Sequence, residues 1–236
     1  MPDGISALAD TYPSLLIQNG SLRPHGSPGS RDDVYKDVSV PIVLVGGLIE
    51  EADTYEVVLR LTALLRADGF QVTTITKHQL DQLFGFHTLN HIIYGKDLAE
   101  AGKILALNRL VRKLEAVERP HVILIEAPDA VIRYNDFAPN GFGIYTYMLC
   151  QAVRPDYFVC CVPCEMAVGP FLDAISSDFE HRLGAPVLAV HVSNLIVDSM
   201  DIVQTGKVSY AHADLAAVRE QIAIYGQSSS TPLFNV

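Results

Sequence analysis

The chain has 236 residues, of which 49% are hydrophobic and 19% are charged, and its formal net charge is −10. This size and composition suit one large α/β domain, while the negative charge argues against nucleic acid and anionic membrane surfaces as partners. No apolar run reaches the ~18 residues of a membrane span, the N-terminus lacks signal-peptide features and the four cysteines form no disulfide framework, so we expect a cytoplasmic protein.

The composition changes along the chain and predicts three parts. Residues 1–38 are predicted to be a flexible N-terminal arm, because residues 20–33 are rich in Gly, Pro and Ser. Residues 39–226 are predicted to be a single α/β domain. Residues 227–236 are predicted to be a mobile C-terminal tail.

The first predicted strand, Pro41 to Val45, is a short apolar run typical of a strand covered on both faces. Gly46 and Gly47 follow as a turn. A helix is then predicted to begin at Asp53, which with Glu56 three residues later resembles a capping box. A strand, a glycine turn and a helix N-terminus in this order form a common anion site in α/β proteins.

The same turn partly matches the phosphate-binding motif G-x-x-x-x-G-K-[ST]. Gly47 and Thr54 stand at the first and last positions of the motif. Ala52 replaces the second glycine, and Asp53 replaces the lysine that would neutralise phosphate charge. Two interpretations follow: Asp53 is an ordinary helix N-cap, or the turn is a modified nucleotide site.

Acidic side chains crowd this turn, namely Glu50, Glu51 and Asp53. At about 4 Å and an effective dielectric constant near 20, each like-charge contact with a phosphate costs a few kcal/mol. A nucleotide would therefore need a metal ion or a basic residue of a partner to offset this repulsion.

The second predicted strand spans residues 71–76 and ends at Lys77 and His78. In doubly wound sheets the ligand crevice lies at the carboxyl ends of the strands. Both residues are therefore site candidates, with solvated strand ends as the alternative.

Two histidines follow four residues apart, His87 and His91, and on a helix they would share one face. Such a pair holds zinc when a third ligand and an acid are near. Thr88 stands where the H-E-x-x-H glutamate would be, so a structural or exposed pair is the alternative.

The third predicted strand, 121–125, is followed by Glu126 and Asp129. An acidic residue after such a strand often binds magnesium or activates water in nucleotide-binding proteins. The alternative is an exposed acidic turn. The loop 132–143 and the helix after it add Asn140, Phe142 and Tyr145 as candidate ligand contacts.

The fourth predicted strand, 157–162, leads into the C-x-x-C motif of Cys161 and Cys164. Successive strand side chains point to opposite faces, so Cys160 and Cys161 cannot easily serve one metal ion. Three interpretations stay open: inert buried thiols, a redox or disulfide pair, and a metal site shared by two chains across a two-fold axis.

The fifth predicted strand, 187–192, contains His191 and is followed by Asn194. Many nucleotide-binding folds read a purine base with an asparagine at this place, so Asn194 is a ligand candidate, and His191 is expected to be a core histidine. A last edge strand is predicted at 207–210 and a closing helix at 214–225.

Strands alternate with helices through most of the chain. This order predicts a three-layer, doubly wound α/β fold, with a mostly parallel sheet and helices on both faces. The glycine turn after the first strand, the acidic strand end and the late asparagine resemble the dethiobiotin synthetase and MinD class of P-loop proteins. Because the motif lysine is absent, this resemblance implies a P-loop-like fold and no particular activity.

A second resemblance rests on three stretches: GFHTLN at 85–90, NGFGIYTYMLCQAVRPD at 140–156, and the segment 40–72. They resemble an accessory family of peptide-maturation system proteins from bacterial cassettes that modify ribosomally made peptides alongside radical-SAM enzymes. The resemblance implies a role beside a modifying enzyme or its precursor peptide. It assigns no catalytic residue.

The main hypothesis is therefore a non-hydrolysing accessory protein that binds a precursor peptide or a radical-SAM-type modifying enzyme, as a homodimer. One alternative is an enzyme that uses a nucleotide and Mg²⁺, with the carboxylates of the first and third strand ends as metal ligands. Another is a cysteine-based redox or metal-binding protein that uses Cys161 and Cys164.

Overall fold

The computed structural model describes residues 35–136, 140–205, 209–226 and 229–236, and the structural statements below concern these residues. Apart from residues 35–38, the predicted N-terminal arm lies outside the described residues.

The described residues form nine strands and seven helices. The strands are Ile42–Gly47 (β1), Val72–Thr76 (β2), His87–Thr88 (β3), Val122–Glu126 (β4), Tyr157–Val162 (β5), Val187–Val192 (β6), Leu195–Val197 (β7), Tyr210–His212 (β8) and Leu233–Phe234 (β9). The helices are Thr54–Ala67 (α1), Asn90–Ile93 (α2), Glu100–Glu118 (α3), Ile144–Val153 (α4), Gly169–Leu183 (α5), Ser199–Thr205 (α6) and Leu215–Tyr225 (α7). Three short 3₁₀ turns join them, Gln79–Phe84, Asn140–Gly143 and Cys164–Met166.

Seven strands form one sheet in the order β3-β2-β4-β1-β5-β6-β9, and each neighbouring pair is parallel. Strands β7 and β8 form a separate antiparallel pair. The predicted mostly parallel sheet is therefore confirmed.

Two apolar cores cover the two faces of this sheet. On one face Ile42 and Leu44 of β1 pack with apolar residues of α3, α4 and α5. On the other face Val43 and Val45 pack with α1 and with Ile202 of α6. Alternation of side chains along each buried strand supplies both cores, and this produces the three layers that the sequence predicted.

The chain end after residue 226 differs from the prediction of a tail. Leu233 and Phe234 are buried and extend the sheet as β9, beside β6. The Val190 amide donates to the Pro232 carbonyl at 2.9 Å. The Gly/Ser/Pro composition suggested mobility, but the strand forms because β6 offers it an unpaired edge and an apolar face.

The structure also corrects two smaller predictions. His87 lies on β3 and bonds Glu118, while His91 lies on α2, so the two histidines do not share a helix face. The last edge strand, predicted at 207–210, is Tyr210–His212 and belongs to the small antiparallel sheet, while Lys207 and Val208 lie outside the described residues. Within the described residues, each helix is too short or too polar to cross a membrane.

Candidate functional site

The carboxyl ends of β2, β4 and β1 are neighbours, because these strands are consecutive in the sheet. They bring Lys77, Glu126 and Gly47 to one edge, although Gly47 at the end of β1 and Glu126 at the end of β4 are 79 positions apart in the sequence. This edge is where ligands bind in open α/β sheets. Most of the predicted site residues lie here.

The loop after β1, residues 48–53, is closed by its own backbone hydrogen bonds. The Ala52 amide donates to the Ile49 carbonyl at 3.3 Å, and the Asp53 amide donates to the Glu51 carbonyl at 2.8 Å. A phosphate-binding loop instead turns successive amides toward the ligand. These two amides are already used inside the protein.

Apolar side chains of this loop are buried in the protein core. Leu48, Ile49 and Ala52 are buried, and Ile49 and Ala52 belong to the core beneath α1. The Ile49 carbonyl folds back over Gly47 so closely that a Cβ on Gly47 would lie 2.3 Å from it. Gly47 is therefore required by the close approach of its own loop.

Asp53 does not cap α1 with its side chain, contrary to the sequence prediction. It has a left-handed backbone with φ of 58°, and its Oδ2 lies 3.1 Å from Nε2 of His191 on β6. Its carbonyl, rather than its carboxylate, accepts from the Val57 amide. The carboxylate turns away because a histidine 138 positions later lies beside it.

The pKa of Asp53 reflects this contact. Burial acts to raise the pKa, but hydrogen bonds from His191 and Ser193 and the charges of His191 and His212 hold it below its usual value. His191 is buried, as predicted, and is 1% exposed. Its Nδ1 atom has no hydrogen-bond partner within the described part of the chain.

Glu126, at the end of β4, is the buried centre of the edge. Its Oε1 accepts from Thr54 Oγ1 at 3.0 Å, and its Oε2 accepts from the Lys77 amide at 3.1 Å. The side chain is 0% exposed. Burial raises the pKa of Glu126, although the nearby charges of Lys77 and His78 and the bonds from Lys77 and Thr54 oppose that shift.

Lys77 supplies the positive charge that the loop itself lacks. Its Nζ lies 3.7 Å from Glu126 Oε1 and 3.5 Å from Glu50 Oε1, and it donates to the Glu50 carbonyl at 3.4 Å. A lysine from the end of β2 thus lies within ion-pair distance of both Glu126 and Glu50. Its charge is used inside the protein.

Asp129 anchors the start of α4. Its Oδ1 accepts from the Thr146 amide at 2.9 Å and from Thr146 Oγ1 at 2.6 Å. Burial raises the pKa of Asp129 even though these bonds oppose the shift. The second oxygen, Oδ2, is buried without a partner among the described residues.

The two aromatic residues predicted as ligand contacts lie in different environments. Phe142 is exposed in the turn before α4, whereas Tyr145 packs edge-on against Tyr94 with ring centroids 5.2 Å apart. Tyr94 in turn donates to the Pro128 carbonyl at 2.5 Å. The side chain of Asn140 lies outside the described residues.

The β7–β8 pair covers the opposite side of the loop. Asn194 begins this pair, and its Oδ1 lies 3.5 Å from Nδ1 of His212. Tyr210 donates to Glu51 Oε2 at 2.6 Å, which fastens β8 to the loop. Asn194 thus lies on the strand pair that contacts Glu51, whereas Asp129 lies on the segment after β4, whose Val131 amide donates to the Gly47 carbonyl at 2.9 Å.

The cysteines do not form a site. All four are free and buried, and Cys160 and Cys161 point into the two different cores. Burial raises the pKa of each thiol, and Cys161 is fully enclosed. Cys164 lies 3.5 Å from Gln221 Oε1.

This burial argues against the predicted redox role of Cys161 and Cys164, because an enclosed neutral thiol reacts slowly. The metal site shared by two chains stays a prediction. Within the described ranges, no group of three His, Cys, Asp or Glu side chains is placed to hold a metal ion. The chemistry of the edge therefore rests on Lys77, Glu126, Asp53 and their neighbours.

Sequence reasoning identified Asp53, Thr54, Lys77 and Glu126 but missed the contacts that join them. The ion pair of Lys77 with Glu126 and the pairing of Asp53 with His191 have no local sequence signal. The only hint was the placement of each residue at the end of a predicted strand or the start of a helix.

Comparison with known proteins gives likenesses in structure alone. No protein-family model matches the sequence, and no curated protein matches it. The solved structure of a DUF1611-family protein from Anabaena variabilis ATCC 29413 matches with a TM-score of 0.62 and 15% identity, over 92% of this chain and 62% of that chain. This chain thus spans less than two thirds of that protein.

Two further solved structures match more loosely. A nucleotide-binding protein from Archaeoglobus fulgidus in complex with ADP has a TM-score of 0.46 and 12% identity, over 83% of this chain and 80% of that chain. Cobyrinic acid a,c-diamide synthase from Mycobacterium smegmatis with bound ADP and magnesium has a TM-score of 0.46 and 15% identity, over 82% of this chain and 84% of that chain.

Likenesses at these identities concern the fold alone. The resemblance to peptide-maturation accessory proteins stays a prediction. The chain shares the fold of that DUF1611-family structure, a mostly parallel α/β sheet with helices on both faces.

Proposed function

We propose that this protein is a non-hydrolysing accessory protein that recognises a polypeptide partner at the carboxyl edge of its sheet. The partner we propose is the precursor peptide or the radical-SAM-type modifying enzyme of a ribosomal peptide maturation system in the cytoplasm. The protein acts there as a homodimer.

The observation that carries this proposal is the closed loop after β1. Its Ala52 and Asp53 amides are bonded to loop carbonyls, and Ile49 is buried in the core beneath α1. A triphosphate needs free amides and room above the glycine. The loop would have to unfold part of the core beneath α1 before it could hold one.

The charges at the edge support the same conclusion. Glu50 and Glu51 lie on the loop, and Asp53 stands in place of the motif lysine. The nearby ammonium group, on Lys77, already pairs with Glu50 and Glu126. Among the described residues at this loop, a phosphate would meet carboxylates and a lysine that is already paired, which is costly at short range.

The maturation role is supported by the sequence resemblance over residues 40–72, 85–90 and 140–156. These stretches contain the closed loop, the strand β3 region and the start of α4. All three border the carboxyl edge, which suits a recognition surface better than a scattered structural role.

A second candidate function is a nucleotide- and Mg²⁺-dependent protein. The hydrogen bond from Thr54 Oγ1 to Glu126 favours it, because a hydroxyl and a carboxylate are the hard oxygen donors that Mg²⁺ prefers. The residues do not fit a resident metal ion, however, because the Lys77 ammonium already lies 3.7 Å from Glu126 Oε1.

Isothermal titration with MgATP and MgGTP separates the two. We expect no binding heat from the wild-type protein and none from Ala52→Gly/Asp53→Lys. This double variant restores the glycine and lysine of the phosphate-binding motif but keeps Leu48 and Ile49 buried. Tight binding by the wild-type protein, with turnover that Asp53→Ala or Glu126→Ala abolishes, would overturn the proposal and favour the second candidate.

A further inference from the structure

The segment before β1 is bonded along helix α3. Asn108 of α3 accepts from the Lys36 amide at 3.2 Å and donates to the Lys36 carbonyl at 2.8 Å. Glu115, two turns later on the same helix, accepts from the Ser39 amide at 2.7 Å. The last residues of the predicted N-terminal arm therefore lie against one face of α3.

These bonds fix the direction and the register of the segment. From Lys36 to Ser39 the chain advances three residues, while its partners on α3 advance seven residues, from Asn108 to Glu115. Seven helical residues rise about 10.5 Å, and three extended residues span about 10 Å. The segment is therefore nearly straight. Continued backwards in the same register, it would pass the first turns of α3.

A buried cation lies on that path. Lys103, in the first turn of α3, is 8% exposed, and its ammonium group lies over the Tyr145 ring of α4, 5.7 Å from the ring centroid. Within the described parts of the chain, none of the ion pairs includes Lys103. Ala99 begins the helix and gives it no side-chain cap. A buried ammonium group and an uncapped helix N-terminus both favour an acidic neighbour.

The surface of these two helices is basic, although the whole chain carries a net charge of −10. The charged residues of α3 are the cations Lys103, Arg109, Arg112 and Lys113 and the acids Glu100, Glu115 and Glu118. Two of the acids are already paired, Glu115 with Arg112 and Glu118 with His87. Helix α4 carries no charged residue, and Arg154 follows it. A segment on this surface therefore meets more positive than negative charge.

We propose that residues 31–34 of this chain dock on the surface of α3 and α4, and that the Asp33 carboxylate pairs with the Lys103 ammonium group. Asp33 precedes Lys36 by three residues, so the register places it level with Ala101. That level is about 3 Å along the helix axis from Lys103. A lysine side chain easily covers this distance.

The side of the segment on which Asp33 lies also agrees with this pairing. Alternate residues of an extended chain share one side. Tyr35 and Asp37 both contact Arg154 at the end of α4, with the guanidinium 5.4 Å from the Tyr35 ring centroid and 3.6 Å from the Asp37 carboxylate. Asp33 therefore faces α4, and the Lys103 ammonium group lies over a ring of that helix.

Apolar surface beside Lys103 would be covered as well. Asn108 donates to the Ala152 carbonyl at 2.9 Å, so Tyr147, five residues before Ala152, is level with Lys103. Tyr147 is 50% exposed on α4. Docking of the segment would remove part of this aromatic surface from water, which adds to the stabilisation by the ion pair.

The tether selects this occupant over an acidic segment of another molecule. Asp33 is separated by Val34 alone from Tyr35, which already contacts Arg154. A short tether of this kind gives the carboxylate a millimolar or higher effective concentration at the surface. The proposal goes beyond the recognition function proposed above, and neither requires the other.

A double-mutant cycle in the full chain tests the pair. Urea unfolding is measured for Asp33→Asn, for Lys103→Met and for the double variant. We expect Asp33→Asn to lower the ratio of folded to unfolded protein about fivefold, and to have no effect when position 103 is methionine. Lys113→Met is the matched control, because Lys113 is an exposed cation on the same helix. Asp33→Asn should keep its full effect in that background.

A spin label tests the position of the segment. A nitroxide attached to Ser30→Cys labels one site, because the four native cysteines are buried. We expect it to broaden the methyl NMR signals of Ile104 and Ile144, near the starts of α3 and α4, more than that of Ile196 on β7. Adding Asp33→Lys should abolish this difference.

Three results would each contradict the proposal. The first is an equal effect of Asp33→Asn with and without Lys103. The second is equal broadening of the three isoleucine signals. The third is broadening of Ile104 and Ile144 only between a spin-labelled chain and a separate isotope-labelled chain, which would place a second copy on this surface. If Lys103→Met fails to fold, the spin-label comparison decides the question.

Discussion

Two neighbouring segments at the carboxyl edge use apolar residues in opposite ways. The loop after β1 turns Leu48 and Ile49 inward, where they are 2% exposed, whereas the turn after β2 directs Leu83 and Phe84 into solvent. The loop closes through backbone bonds between its own residues. The turn is fastened through a single buried side chain, Asp81.

The difference shows how this protein departs from a phosphate-binding design. The apolar residues of the loop after β1 are part of the core, and the exposed apolar surface lies two strands away in the sheet, beyond β4. Lys77 links the two segments, since it directly precedes the turn and pairs with Glu50 of the loop.

The largest expected effect comes from a matched pair of truncations in the two segments. Ile49→Ala should lower the free energy of unfolding by about 3 kcal/mol, because it leaves a cavity beneath α1. Leu83→Ala should change it by no more than about 0.5 kcal/mol, because that side chain is already in water. Urea denaturation at neutral pH measures both. Similar values for the two variants would remove the distinction between loop and turn.

An intermediate effect is expected from Lys77→Met, which leaves Glu126 buried without its cation. We expect a loss of about 2 kcal/mol, below the usual cost of breaking a buried ion pair, because Glu126 keeps its bonds from Thr54 and the Lys77 amide and can take up a proton. Thermal and urea unfolding provide the measurement.

The double variant Lys77→Met/Glu126→Gln is the control for that prediction, since it removes both charges at similar volume. It should recover part of the lost stability. If the single variant were as stable as the wild-type protein, the charge of Lys77 would not stabilise the buried carboxylate of Glu126.

The smallest expected effect is a pH dependence of stability that arises from Asp53, the last residue of the loop after β1. The folded pKa of Asp53 lies below its ordinary value of 3.8, so its contribution to stability is complete above that value and is lost as the pH falls through the folded pKa. The wild-type melting temperature should therefore fall more steeply below about pH 4 than that of Asp53→Asn.

Differential scanning calorimetry between pH 3 and pH 7 measures this difference, and Asp198→Asn on the exposed surface is the control. Parallel curves for the wild-type protein and Asp53→Asn would show that the contact with His191 does not fix the loop. A steeper wild-type curve would support the pairing seen at 3.1 Å.

Much of the sheet was predictable because its strands are short apolar runs bounded by turn residues. The runs at 41–45, 71–76, 121–125, 157–162 and 187–192 all correspond to β1, β2, β4, β5 and β6 within a residue or two. The site was predictable only in part. The positions of Thr54, Lys77 and Glu126 at element ends were visible, but their bonding partners were not.

By itself the sequence determined the alternation of the five main strands with helices, since burial on two faces and helical periodicity leave a local pattern. Tertiary structure alone decided that Asp53 faces His191, that Lys77 neutralises Glu126, and that Leu233 and Phe234 join the sheet as β9. The physical reason is distance along the chain: these contacts join residues that local periodicity cannot relate. They form only when the packed sheet brings its strand ends and its open edge together.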